Sequence, residues 1–173
     1  LGISRKLKFL IMTILLTDSE LSKNTLLSGN IDKDKLRQCI LDAQAEHLEV
    51  LLGEKLYEKI CTDYDANALS GDYATLYTDY IKPFLIRQSA LEYLKIGAFS
   101  VSNNGIFQPT SQNAQPISDT QLQVLKDEMS IKANAYADRM HRWLKQNNLP
   151  EFECDSENII KPTKPSVMPW YLP

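Results

Sequence analysis

At 173 residues, 43% of them hydrophobic and 24% charged, the chain has the length and composition of one ordinary globular domain and is short for two. Its formal net charge of −3 lacks the basic balance with which nucleic-acid-binding domains hold phosphates. The cysteines Cys39, Cys61 and Cys154 form no CxxC pair, which argues against a zinc ribbon or thioredoxin-like site and for folding in a reducing compartment.

Charge is unevenly spread. Residues 12–72 hold twelve acids against six bases, whereas the first eleven residues carry Arg5, Lys6 and Lys8 and no acid. Such an acidic stretch is ordinarily a solvated face; the sharper reading is a surface that meets a basic partner or repels a polyanion. Residues 1–16, LGISRKLKFLIMTILL, have the basic start and short apolar run of a signal peptide, but Thr17, Asp18 and Ser19 follow without a small-x-small site. The run also falls far short of the ~20 apolar residues of a membrane span. Two other readings remain open: an upstream extension before Met12 as the natural start, or a buried terminal strand or arm.

Thr17 and Glu20 have capping-box spacing and predict a short helix through Lys23, followed by a break at Ser28-Gly29-Asn30. Asp32 is a good N-cap, and from Lys33 the residues Leu36, Cys39, Ile40, Ala43, His47, Val50 and Leu51 recur at helical steps. Gly53 interrupts or ends this helix, and Leu56, Tyr57 and Ile60 carry a second apolar set to about Tyr64. A polar connection with Gly71 leads to a third helix, from about Tyr73 to Ile81, where Pro83 marks a kink or a new start. The stretch Phe84 to Val101 is apolar on nearly every side and belongs in the middle of a bundle.

Ser102 to Ile117 is amide-rich and polar, and Asn104-Gly105 suits a tight hairpin turn. Ser118 and Gln121 form another capping box, opening the clearest helix of the chain. Its stripe is Leu122, Leu125, Met129, Ala133, Tyr136, Met140 and Trp143, and roughly thirty residues to Asn147 would span about 45 Å. Five of the eight prolines then fall in the last 26 residues, which makes that segment an extended arm or tail. The expected architecture is all-α: an N-terminal arm or extension (1–16), a helical domain (17–147) with an amide-rich loop or hairpin and a long C-terminal helix, and an extended proline-rich arm (148–173).

Chemistry-bearing patterns are sparse. His47 and His141 lie in no metal-binding spacing, and His47 falls on an apolar stripe, where a hydrogen-bonded core histidine is expected. Asp42, Glu46 and Glu49 share one face without matching ligands elsewhere. With no Walker A loop, GxGxxG or GxSxG, no catalytic, metal or cofactor site is expected. Two segments stand out for protein interaction. One is the loop with Asn104, Gly105, Ile106 and Phe107. The other is the tail with Val167, Met168, Trp170, Tyr171 and Leu172, which either packs on its own domain or docks on a neighbour.

The order TDSELSKNTLLSGNID, LLGEKLYEKI, the Tyr80-Ile81-Lys82-Pro83 boundary before an apolar helix, SNNGIFQPTSQNAQPIS, and the long helix with Tyr136-Ala137-Asp138-Arg139-Met140 resembles a known family. It is similar to the head–tail connector (adaptor or ring) proteins of tailed bacteriophages, of the type found in crAss-like phages of gut Bacteroidetes, over about residues 12–147. The resemblance implies a structural virion protein, made in the host cytoplasm and resident at the head–tail junction. It would be a helical bundle without catalytic residues or membrane contact, ringed beneath the portal vertex in twelve copies after the portal's symmetry. Portal protein, further connector or tail proteins and copies of itself would be the partners, with DNA passing through the channel without sequence-specific binding. The alternatives are a DNA-binding regulator, whose best recognition helix would carry Arg139, His141, Arg142 and Lys145, a small cytosolic helical enzyme, or a host interaction domain.

Overall fold

The computed structural model describes residues 13–25, 27, 31–96, 100–102, 105–107 and 118–152. Thr17 opens helix α1 (Asp18–Lys23) with the expected reciprocal box: its hydroxyl accepts from the Glu20 N–H, and the Glu20 carboxylate accepts from the Thr17 N–H. Asp32 caps α2 (Lys33–Asp42) by accepting from the Asp34 N–H at 3.0 Å. The helix runs on through a π-helical segment, π1 (Ala43–Leu48), into α3 (Glu49–Leu52). It breaks at Gly53, whose φ of +76° a side chain would strain, and α4 (Glu54–Asp65) follows at once.

The next rod joins α5 (Gly71–Thr75), a second π segment π2 (Leu76–Ile81) and α6 (Lys82–Ile96) without a break. Pro83 therefore lies inside a helix rather than at its start. The π segment accommodates it: the Lys82 N–H donates to the Tyr77 carbonyl five residues back, which widens the turn where the proline ring would otherwise press on the preceding carbonyls. Two short strands, β1 (Ser100–Ser102) and β2 (Gly105–Phe107), pair antiparallel. Ser118 then caps α7 (Asp119–Asn147) with the expected Gln121 box. Among the described residues this is an all-α bundle of five helices with a small β-ribbon.

Helix α6 is the hub. Phe84, Leu85, Ile86, Gln88, Ser89, Ala90, Leu91 and Glu92 are all buried, as expected of the stretch Phe84 to Val101, but the helix ends at Ile96, which is 42% exposed, and Val101 belongs to β1. It packs between α2 and π1 on one side and α7 on the other. The α5–π2–α6 rod and α7 run antiparallel, and the pairs along the seam give the register. Tyr73 donates to Glu151 at 2.5 Å, the Tyr80 and Trp143 rings lie 5.2 Å apart, and Arg87 sits 5.9 Å over Tyr136. The two rods thus form a long hairpin, and the ribbon lies between them in chain order.

The sequence stripe slips at π1. His47 and Val50 were expected inside, yet Val50 is 76% exposed and the His47 side chain 36% exposed, while Leu48 and Leu52 are fully buried. A π turn holds one more residue than an α turn, so every position after it moves on by one.

Residues 13–16 enter the core. Leu15 and Leu16 are fully buried, and Gln44, itself fully buried on π1, clamps the segment. Its amide oxygen accepts from the Leu15 N–H at 2.9 Å, and its NH2 donates to the Thr13 carbonyl at 2.8 Å and to the Tyr57 hydroxyl at 3.1 Å. Tyr77 donates to the Leu15 carbonyl at 2.8 Å, so side chains pair both backbone groups of Leu15 and the Thr13 carbonyl. At the other end, Asn148 adopts the left-handed conformation and stops α7. The chain reverses there, burying Leu149 and placing Phe152 edge-on to His141 at 6.3 Å.

Candidate protein-interaction surfaces

Pairing of Ser100 with Phe107, Val101 with Ile106 and Ser102 with Gly105 makes a ribbon where a hairpin was expected. Gly105 is the first residue of the second strand, not a turn residue, so the connection comprises positions 103 and 104, one place earlier than the Asn-Gly signal implied. Gly105, Ile106 and Phe107 therefore sit together on the second strand. Asn104 lies outside the described residues, as do Val167, Met168, Trp170, Tyr171 and Leu172, so the structure brings none of these five to a surface.

The first half of α7 is less well covered than the second. Ala133, Met140 and Leu144 are buried, but Leu122, Leu125 and Met129 are only half-buried against α6. On the outer side Val124 is 53% and Ile131 69% exposed. Seven residues apart, they share one helix face with the exposed Ala135. Sequence reading had singled out neither, although the spacing was visible; the inner stripe drew all the apolar periodicity.

Where α7 leaves the bundle it borders a polar cleft of about 310 Å³, lined by His47, Gln88, Lys95, Gln123, Lys126 and Asp127 among others. Beside it, the largely buried Glu92 accepts from Gln88 at 2.8 Å, from Lys95 at 2.8 and 2.9 Å, and from His47 at 3.2 Å. His47 is hydrogen-bonded as expected, but at the rim instead of the core. Burial alone would raise the Glu92 pKa; hydrogen bonds and charge from Lys95, helped by Gln88 and His47, outweigh it and hold the carboxyl below its ordinary range. Glu20, in the same balance between burial and the Lys82 and Thr17 contacts, is lowered too. Such carboxylates stabilise the fold at neutral pH, and that contribution is lost as pH falls through their lowered folded-state values. Urea titrations of wild type and Glu92→Gln should therefore show a stability gap that narrows on acidification; a gap constant down to pH ~3 would contradict the assignment.

Arg139, offered by the regulator alternative as a base-reading side chain, lies 4.7 Å over the Tyr80 ring and helps close the rod seam. Arg142 and Lys145 are exposed. Among the described residues no cluster of three potential metal ligands occurs, and no helix is long and apolar enough to cross a membrane.

Comparison with known proteins places one family model, described as a family of unknown function (DUF6712), on residues 48–161, a span that includes both rods and the ribbon. No curated protein and no solved structure matches the chain.

Proposed function

The chain belongs to this family of unknown function, DUF6712, and from that premise we propose that it is a structural subunit of a tailed-phage particle. In this reading copies of the protein form a ring at the portal vertex, joining portal protein to further connector or tail proteins and extending the channel through which DNA passes. The observation that carries it is the rod pair, which offers a β-ribbon and an exposed apolar face on α7. In this reading a neighbouring subunit covers Val124 and Ile131, which this chain leaves exposed. The sequence likeness to connector proteins supplies the kind of assembly. The acidic stretch is consistent with a channel wall, because negative charge lets a polyanion slide without capture.

A particle reconstruction decides the matter. The expected result is this chain in a closed ring on the portal axis; an off-axis monomer, or a particle assembled without it, would overturn the proposal. The polar loop gives a second check. Deleting Gln108 to Gln115 should leave the thermal melt nearly unchanged and reduce incorporation into particles, because the deleted residues lie outside both the paired strands and α7. Collapse of the fold on deletion would make the loop part of the core.

A further inference from the structure

Two segments of the chain are wound as wide π turns, and both reach the same residue. In π1 the Glu49 N–H donates to the Gln44 carbonyl, and in π2 the Lys82 N–H donates to the Tyr77 carbonyl. Gln44 and Tyr77, each second in its π segment, are also the side chains that bond the two backbone groups of Leu15. The two turns are not held alike, however. Pro83 lies just past π2 and favours a wide turn there by itself, whereas residues 33–52 contain no proline.

Residues 33–52 also carry two apolar stripes, one position apart. In an unbroken α-helix Leu36, Ile40, Ala43, His47, Val50 and Leu51 share a face, and Leu52 points away from it. With the extra residue of π1, everything after it turns by about 100°, and Leu48 and Leu52 join Leu36 and Ile40 in the core. One sequence thus fits two helical registers. The looser winding of a π turn is the less favourable of the two, so the wide register needs a contact that selects it. Residues 13–16 supply one: they bond Gln44 and fill the core with Leu15 and Leu16.

We propose that π1 is a two-register switch set by residues 13–16. With the segment docked, Ala43–Leu48 is wound wide and Leu52 faces the core. With it released, the helix from Lys33 winds as an ordinary α-helix, Leu52 turns to solvent and Val50 turns inward, while π2 keeps its width beside Pro83. Movement of four residues thereby changes which side chains α3 offers to a partner. The switch belongs to one chain and stands apart from the connector reading.

The test uses Leu52→Cys in the full chain, with and without Tyr77→Phe. Phenylalanine keeps the ring and removes the hydroxyl that donates to the Leu15 carbonyl, so the segment loosens without a void in the core. Hydrogen exchange at the Leu15 amide reads how often the segment is released. Thiol labelling at position 52, located by mass spectrometry, reads how often that position meets solvent. Tyr77→Phe should accelerate both by one common factor, about five- to tenfold for the loss of a neutral hydrogen bond. Cys39, fully buried on α2 ahead of π1, keeps its place in both registers and should label as slowly as before.

Acceleration at Leu15 without acceleration at position 52 would overturn the proposal. So would equal acceleration at Cys39, which marks ordinary unfolding, or no change at Leu15, since the hydroxyl then does not hold the segment. Val50→Cys, at an exposed site that leaves the core intact, is the second reporter. Combined with Gln44→Leu its labelling should slow as position 50 turns inward; labelling as fast as in the chain with Gln44 would also sink the switch.

Discussion

Gln44→Leu is expected to cost roughly 3–5 kcal/mol in urea unfolding, a large share of a domain's stability. Leucine matches glutamine in bulk, so the loss is one of pairing and not of packing. Without the amide, the buried Leu15 N–H loses its acceptor, and the Thr13 carbonyl and Tyr57 hydroxyl lose a donor. A buried polar group left unpaired costs about 1–3 kcal/mol, so three such losses sum to about 3–9 kcal/mol. The segment has an escape, however: it can peel away and let water in, at the expense of exposing Leu15 and Leu16. That route caps the penalty near the transfer energy of two leucines, about 1.5–3 kcal/mol each. A matching loss of protection for residues 13–16 in hydrogen exchange should accompany the fall in stability. A change under about 1 kcal/mol would mean that Gln44 does not hold the segment.

The second large effect is a contrast between neighbours. Leu48→Ala should destabilise by about 3–5 kcal/mol, the range for truncating a fully buried leucine whose cavity cannot collapse. Val50→Ala, at 76% exposure, should stay within about 0.5 kcal/mol. An uninterrupted α-helix from Lys33 would put Val50 on the apolar stripe and leave Leu48 off it. Equal losses at the two positions, or a larger one at Val50, would therefore refute the π segment at Ala43–Leu48. Chemical denaturation of both variants on one protein background suffices, because the two sites lie on the same helix and share its unfolding transition.

The region from Asp42 to Asp72 holds eight acids and two lysines, and much of it is carried by π1, α3 and α4. Glu46 and Glu54 are exposed around Val50, and Lys59 pairs with Asp63 at 2.5 Å. This part of the surface is acidic by count and only partly neutralised within the chain, which is what the proposed channel wall asks of it.

The sequence alone determined those parts of the structure that rest on neighbours in the chain. Thr17, Asp32 and Ser118 each cap a helix through bonds spanning two or three residues, so the residue type and spacing were sufficient. The burial of α6 as far as Glu92 was legible because a segment apolar on nearly every side has little to give to water, though its exposed last turn was not, and the length of α7 because its period never falters. The tertiary structure decided what depends on residues far apart. A π turn sets the phase of Leu48 and Leu52, and no local periodicity announces it, since its looser turn persists only when the packing beyond it repays the cost. Gln44 became a clamp because a segment 29 residues earlier passes beside it. Val124 and Ile131 stand exposed because α6 covers the opposite side of α7 and no described element covers theirs. An amphipathic pattern tells which side of a helix prefers to be buried, whereas which side finds a neighbour is a property of the assembled fold.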